Sequence, residues 1–221
     1  ATGDVNINQG KLIIKGDLYQ PAGEFIINGG LMMIEGDYRL HTTDYEKGTA
    51  KLKMLNSEDY ILVKGDFATN SEKSHEDYLK DGVLEVKGNF SQIGTSAAFG
   101  NYSSLNFAAS EEHKVVLSGD GPQIVSFDKY TSSYFSILTV VNENSRISFA
   151  SEYNLNKRSD VNLSHNYLEM NIGNSTQLTA SFTMESNNQA NWSSRDTDVV
   201  NVSDNGLVNA ISDGYSAIRI T

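Results

Sequence analysis

A short pattern centred on a glycine recurs five times in the first half of the chain, and this repeat restricts the fold more than any other feature. Each copy places a mostly apolar run before a glycine that is followed by Asp or Asn. The copies span residues 10–18, 30–38, 59–67, 82–90 and, in weaker form, 112–120. Apolar residues stand two and four positions before each glycine, on one face of a predicted strand. The residue just before the glycine is polar and is predicted to face solvent. These polar residues are Lys15, Glu35, Lys64, Lys87 and Ser118.

The spacing of the copies predicts a β-solenoid over residues 1–158. The central glycines Gly16, Gly36, Gly65, Gly88 and Gly119 are 20, 29, 23 and 31 residues apart. We expect one coil per copy, with insertions at the corners, because identical corner residues in identical register suit stacked parallel strands. Strand-like pieces at 123–128, 134–141 and 146–149 are predicted to complete and cap the solenoid. An array of antiparallel hairpins is the alternative, favoured if Asn8 and Asn28 begin tight turns.

A second row of mostly apolar residues lies on the outer face of the predicted strands. It stands three positions before each central glycine. Its members are Ile13, Met33, Leu62, Glu85 and Val116. Either a loop or a neighbouring strand covers this row, or it forms an exposed patch available to a partner. We expect it to be covered, because the segments between the copies are long enough to fold back.

Residues 161–221 differ in character, with short alternating strands between Asn-, Ser-, Asp- and Gly-rich turns, as in a small β-sandwich. The segments Trp192-Ser-Ser, Asn205-Gly-Leu-Val and Gly214-Tyr-Ser-Ala-Ile resemble the bacterial immunoglobulin-like domain, group 2. The resemblance implies a spacer or adhesive module of secreted and surface proteins, with no catalysis. The lone tryptophan, Trp192, is predicted to anchor the core. More weakly, the repeat resembles repetitive β segments of Gram-positive surface proteins.

Composition excludes several classes of function. There are 28 acidic and 17 basic side chains, for a net charge of −11, which opposes binding to nucleic acid and to anionic lipid. No apolar run is long enough for a membrane span. The chain has no cysteine, so disulfide scaffolds and thiolate zinc sites are excluded. We therefore expect neither a nucleic-acid partner nor membrane insertion.

Two residue types are candidates for metal binding. Asp17, Asp37, Asp66 and Asp120 could stack into a carboxylate ladder for Ca²⁺, with Asn89 in the remaining copy. The alternative is that each aspartate accepts backbone N–H bonds at a corner, and we favour it, so that calcium is only a weak prediction. The four histidines, His41, His75, His113 and His165, are far apart in sequence. They are predicted to be loop residues without a zinc site.

The sequence thus predicts an all-β, non-catalytic module without a cofactor, secreted or associated with a bacterial cell wall. Its partners would be a glycan, a host or surface protein, and other domains of a longer chain. Tyrosines on a flat solenoid face could stack on sugar rings, although ordinary use in sheets also explains them. They include Tyr45, Tyr60, Tyr78, Tyr102, Tyr130, Tyr134 and Tyr153. The alternatives are an accessory part of a polysaccharide-processing enzyme and a calcium-stabilised repeat.

Overall fold

A computed structural model of the protein describes residues 3–41, 48–94, 105–141, 147–165, 167–182 and 190–220. All regular secondary structure in these ranges is β-strand, which confirms the all-β class. The chain divides into two compact units, Ala1–Ser159 and Asp160–Thr221.

The first unit consists of short strands joined by tight corners. In chain order they are β1 (Val5–Asn6), β2 (Lys11–Ile14), β3 (Leu18–Tyr19), β4 (Glu24–Ile26), β5 (Leu31–Ile34), β6 (Tyr38–Leu40), β7 (Lys51–Lys53), β8 (Tyr60–Val63), β9 (Phe67–Thr69), β10 (Val83–Val86), β11 (Phe90–Gln92), β12 (Lys114–Leu117), β13 (Gln123–Phe127), β14 (Phe135–Val141) and β15 (Ile147–Phe149). Strand β16 (Leu155–Leu163) then spans the boundary between the units.

These strands form three parallel sheets, which the chain enters in turn through β9; the later strands alternate between the second and third sheets. The first sheet has the order β1-β4-β7, the second contains β2-β5-β8-β10-β12-β14, and the third is β3-β6-β9-β11-β13-β15. Beyond β7, single parallel bridges join Met54 to Leu79 and Leu79 to Ala109. We call one pass of the chain through the sheets a circuit. Because the repeat strands pair in parallel, the hairpin alternative is wrong for them.

The register of the second sheet is the one that the repeat predicts. Leu12 pairs with Met32, and Met32 pairs with Ile61. Leu84 lies between Ile61 and Val115. Met32, Ile61, Leu84 and Val115 are all fully buried, so equivalent residues of successive copies stack in the core. The pieces predicted after residue 123 are strands β13, β14 and β15, and they extend the second and third sheets.

The outer face of the second sheet does not carry a continuous exposed patch. Met33 and Leu62 are buried, whereas Ile13, Glu85 and Val116 are half-buried. Glu85 accepts hydrogen bonds from the hydroxyls of Tyr60 on β8 and of Ser118, which directly follows β12. The exposed-patch alternative is therefore wrong for this row.

The polar row just before the glycines faces solvent at its start. Lys15 is exposed, and its Nζ lies 2.6 Å from Glu35 Oε1. The hydrogen bond from Lys15 lowers the pKa of the Glu35 carboxyl. At the far end of the row, in contrast, Ser118 is buried, and its hydroxyl donates a hydrogen bond to Glu85.

An aromatic column fills the interior behind the third sheet. It is built from the residue two positions after each glycine, which is Tyr38, Phe67 or Phe90 in three copies. The ring centroids of Tyr38 and Phe67 are 5.5 Å apart, and those of Phe67 and Phe90 are 5.3 Å apart. Phe107 and Phe135 pack edge-on against Phe90 at 4.8 and 4.9 Å. Each such pair adds about 0.5–1.5 kcal/mol to the effect of burial alone.

The second unit is built from antiparallel strands. They are β17 (Ser175–Gln177), β18 (Ala180–Phe182), β19 (Trp192–Ser194), β20 (Val200–Val202), β21 (Leu207–Ala210) and β22 (Ile218–Ile220). Strand β21 lies between β17 and β20, β19 pairs with β22, and β16 pairs with β18. Leu178 and Val208 are buried, whereas Trp192 is half-buried. The tryptophan covers Gly206, where a Cβ would lie 3.0 Å from the indole, so it contributes to the core without being its fully buried anchor.

Candidate functional site

The aspartates that follow the repeat glycines form a hydrogen-bonded ladder. Asp17 Oδ1 accepts the backbone N–H of Asp37 at 2.8 Å. Asp37 Oδ1 accepts the N–H of Asp66 at 2.8 Å, and Asp66 Oδ1 accepts the N–H of Asn89 at 2.7 Å. Asn89 Oδ1 in turn accepts the N–H of Ile124 at 2.8 Å. Each rung therefore joins one circuit to the next.

Asp120 lies outside this ladder, so its prediction as the fifth equivalent position is wrong. Phe90 pairs with Val125, which places Ile124 opposite Asn89. The corner after Gly119 is longer than in the other copies, and Gln123 Oε1 accepts the N–H of Gly119 at 2.8 Å. Asp120 is exposed on this corner.

The ladder explains why glycine precedes the acid. A Cβ placed on Gly36 would overlap Asp17 Oδ1, and a Cβ on Gly65 would overlap Asp37 Oδ1. The same conflict exists between Gly88 and the Asp66 carboxylate. Glycine and aspartate are therefore required together, because the absence of a Cβ on the glycine leaves room for the carboxylate of the preceding circuit.

The hydrogen bonds make the ladder a poor calcium ligand. One oxygen of Asp17, Asp37 and Asp66 accepts a backbone N–H, and the second oxygen of Asp37 pairs with Arg39. Calcium takes six to eight oxygen ligands. Within the described ranges, no three His, Asp or Glu side chains are placed to share a metal ion. The contacts favour the interpretation that these aspartates stabilise the corners.

All four histidines lie outside the strands, as predicted for loop residues, but three of them are buried, which the sequence did not predict. His41 and His113 are fully buried, His75 is 1% exposed, and His165 is exposed. His75 Nε2 accepts the N–H of Leu52 at 3.0 Å. Neither ring nitrogen of His113 has a hydrogen-bond partner among the described residues.

Burial makes two of these histidines strongly resistant to protonation. It lowers the pKa of His75 to about 3, with a smaller contribution from the charge of Lys51. Burial and the neighbouring His75 lower the pKa of His113 to about 3 as well. Both rings are therefore neutral in the folded protein at neutral pH. Sequence reasoning missed this because His75 stands in a polar segment that has no strand pattern.

A buried carboxylate, Asp59, was also missed. It begins the third copy and is fully buried. Its oxygens accept the backbone N–H groups of Gly29 at 2.5 Å, Leu55 at 2.8 Å and Asn56 at 3.0 Å. Asp59 therefore ties the corner at 55–59 to the preceding circuit.

An open cleft beside β15 is the candidate ligand site of the first unit. Its volume is about 460 Å³, and Tyr130 and residues 149–154 line it. The rings of Phe149 and Tyr153 stack with centroids 3.8 Å apart and planes 17° apart. A hydrogen bond between Tyr130 and Glu152 raises the pKa of the tyrosine. Asn154 Nδ2 donates to the Tyr130 carbonyl oxygen at 2.9 Å, which joins the two sides of the cleft.

The structure brings together only some of the predicted tyrosines. Tyr130 and Tyr153 line the cleft. Tyr60 bonds to Glu85 on the second sheet, and Tyr78 bonds to Lys51 at 2.8 Å. Tyr134 forms a bridge with Ala108. Tyr45 and Tyr102 lie outside the described residues. A flat face carrying all the tyrosines is thus not what the fold forms.

Comparison with known families assigns the second unit. Residues 159–221 match the family model of the bacterial immunoglobulin-like domain, group 2, and this confirms the resemblance seen around Trp192 and Gly206. Domains of this family typically occur in extracellular bacterial proteins. No curated protein and no solved structure matches the chain. In the described part of the chain, no helix has the length and apolar content to cross a membrane.

Proposed function

We propose that this chain, with its group 2 immunoglobulin-like domain, is a non-catalytic surface or adhesion module, secreted or associated with a bacterial cell wall. In this proposal residues 1–158 form a β-solenoid that presents a binding face, and the immunoglobulin-like domain acts as a spacer. The immunoglobulin-like family supports the extracellular setting.

The strand order supports the solenoid. Through β9, successive strands enter the first, second and third sheets in turn, and each strand pairs with its counterpart from the circuit before. From β10 to β15 the strands alternate between the second and third sheets, while single parallel bridges continue the first side. The inward side chains of the three sheets belong to one buried cluster. Three sheets that share a core and are visited cyclically are the arrangement of a three-sided parallel solenoid.

The cleft at Tyr130 and residues 149–154 supports a carbohydrate as the ligand of the binding face. A sugar ring has apolar C–H faces, which pack on aromatic rings, and hydroxyl groups, which bond to carboxylates and amides. Phe149 and Tyr153 offer aromatic surface, and Glu152 and Asn154 offer the polar groups. Glu152 is the acidic member of this lining, whereas glycoside hydrolysis ordinarily uses two carboxyl groups. The lining therefore favours binding over cleavage.

A glycan array probed with the full chain tests this function. We expect binding to a polysaccharide fragment that is lost in Tyr153→Ala and weakened in Glu152→Gln. Tyr167→Ala is the matched control, because Tyr167 is exposed in the second unit. Binding that survives Tyr153→Ala would place the site elsewhere, and absence of any ligand would leave only the spacer role. Release of reducing sugar that depends on Glu152 would show an enzyme instead.

A further inference from the structure

The three parallel sheets of the first unit all end at the first circuit, residues 4–23. Strand β1 pairs only with β4, β2 only with β5, and β3 only with β6 among the described strands. The outer edges of β1, β2 and β3 therefore face the same end of the unit. An edge strand is a template for pairing with another strand.

Burial shows that this end is an incomplete core. Four inward apolar residues of the first circuit are only half-buried and a fifth, Leu18, is 8% exposed, whereas the four counterparts in the second circuit are 0–2% exposed. The equivalent pairs are Val5 and Phe25, Ile7 and Ile27, Leu12 and Met32, and Ile14 and Ile34. The first circuit covers these residues of the second circuit on one side. One more circuit would cover the residues of the first circuit in the same way.

The ladders of side-chain hydrogen bonds between circuits run in one direction. Asp4 accepts the N–H of Glu24 at 2.8 Å, and Asn8 Oδ1 accepts from the Asn28 side-chain amide at 2.6 Å. Asp17 accepts from the circuit that follows it in the same sense. Each circuit thus gives a backbone or amide N–H to the circuit before it. The N–H of Asp17 has no such acceptor within the described residues.

We propose that this end of the first unit is an interaction surface for a further circuit of the same repeat. That circuit would run parallel to β1, β2 and β3, place apolar residues over Leu12 and Ile14, and bring an Asp or Asn whose side-chain oxygen accepts the N–H of Asp17. The contact continues the interface that already joins the first and second circuits.

A second copy of the chain fits this end less well. In a two-fold contact each copy would present the same first circuit to the other. The side-chain oxygens of Asp4, Asn8 and Asp17 already accept from the second circuit, so such a contact would bring no ladder acceptor to the N–H of Asp17. The further circuit instead places an acceptor opposite a donor at each ladder.

The test is a chain in which a copy of residues 4–23 is inserted directly before Asp4. The insert has the 20-residue length that separates the first two copies of the repeat. We expect hydrogen exchange at the backbone amides of Ile13 and Asp17 to slow by about tenfold or more, and the Tm to rise, since each amide gains a hydrogen-bond acceptor. Unchanged exchange at both amides would overturn the proposal.

Two further variants separate the contributions. Changing the inserted copies of Leu12 and Ile14 to Asn keeps the length and charge of the insert, and it should return both amides to the parent rate. Changing only the inserted copy of Asp17 to Ala should speed exchange at the original Asp17 and leave Ile13 protected. Protection in the Asn variant would overturn the proposed packing. A concentration-dependent dimer of the parent chain, lost in Leu12→Asn, would show that a second copy is the occupant and would also overturn it.

Discussion

Acidification from pH 7 to pH 5 should destabilise the first unit through His75 and His113. Both rings are buried and neutral, with pKa values lowered from 6.5 to about 3. The unfolded chain can protonate both rings below pH 6.5, whereas the folded protein cannot until the pH nears 3. The stabilisation is therefore complete above pH 6.5 and is lost progressively as the pH falls from 6.5 toward 3.

The size of the effect follows from the two pKa values. For one histidine, the free energy of unfolding should be lower at pH 5 than at pH 7 by about 2 kcal/mol. Two histidines give about 4 kcal/mol, which is a large part of the stability of an ordinary domain.

Urea unfolding followed by far-UV circular dichroism measures this effect. His113→Leu should halve the difference in unfolding free energy between pH 7 and pH 5, because it removes one of the two buried rings. The substitution leaves no hydrogen-bonding group without its partner, since neither ring nitrogen of His113 has one among the described residues. His165→Gln is the control, since His165 is exposed, and it should behave like the parent. Fluorescence of Trp192 reports the second unit, whose transition should move little.

The reasoning is refuted if the parent unfolds at the same urea concentration at pH 7 and pH 5. It is also refuted if His113→Leu retains the full dependence on pH.

Three further predictions concern the core, a corner and metal. Phe90→Ala should lower the free energy of unfolding by about 3–5 kcal/mol in urea titration, because Phe90 touches Phe67, Phe107 and Phe135; a loss below about 1 kcal/mol would contradict the aromatic column. Asp59→Ala should cost about 3 kcal/mol or more, at roughly 1 kcal/mol for each of three orphaned N–H donors, whereas Asp59→Asn should recover part of it. Addition of EDTA should leave the Tm unchanged, and a fall reversed by calcium would show a metal site.

The repeat allowed the strand register to be predicted because its period reflects a direct contact. A glycine admits the carboxylate of the preceding circuit, and the apolar residues two and four positions earlier must then face the core. Asp120 does not occupy the ladder position because the corner after Gly119 is longer than the others, and the local sequence pattern does not show the length of a corner.

The buried histidines and the cleft could not be predicted from local pattern. His75 precedes Glu76 and Asp77, so its surroundings in sequence are polar although its surroundings in space are the core. The cleft joins Tyr130 to residues 149–154, which a sequence pattern cannot bring together without the fold. Both features arise from where long corner segments lie against the sheets.

The strand order has a mechanical consequence. In all three sheets the strands follow chain order, so the chain enters the first unit at one end of the sheets and leaves at the other. Tension between those ends would act perpendicular to the strands, so the hydrogen bonds between circuits would break one circuit at a time. Extension would then proceed in steps of about 70 Å for a 20-residue circuit.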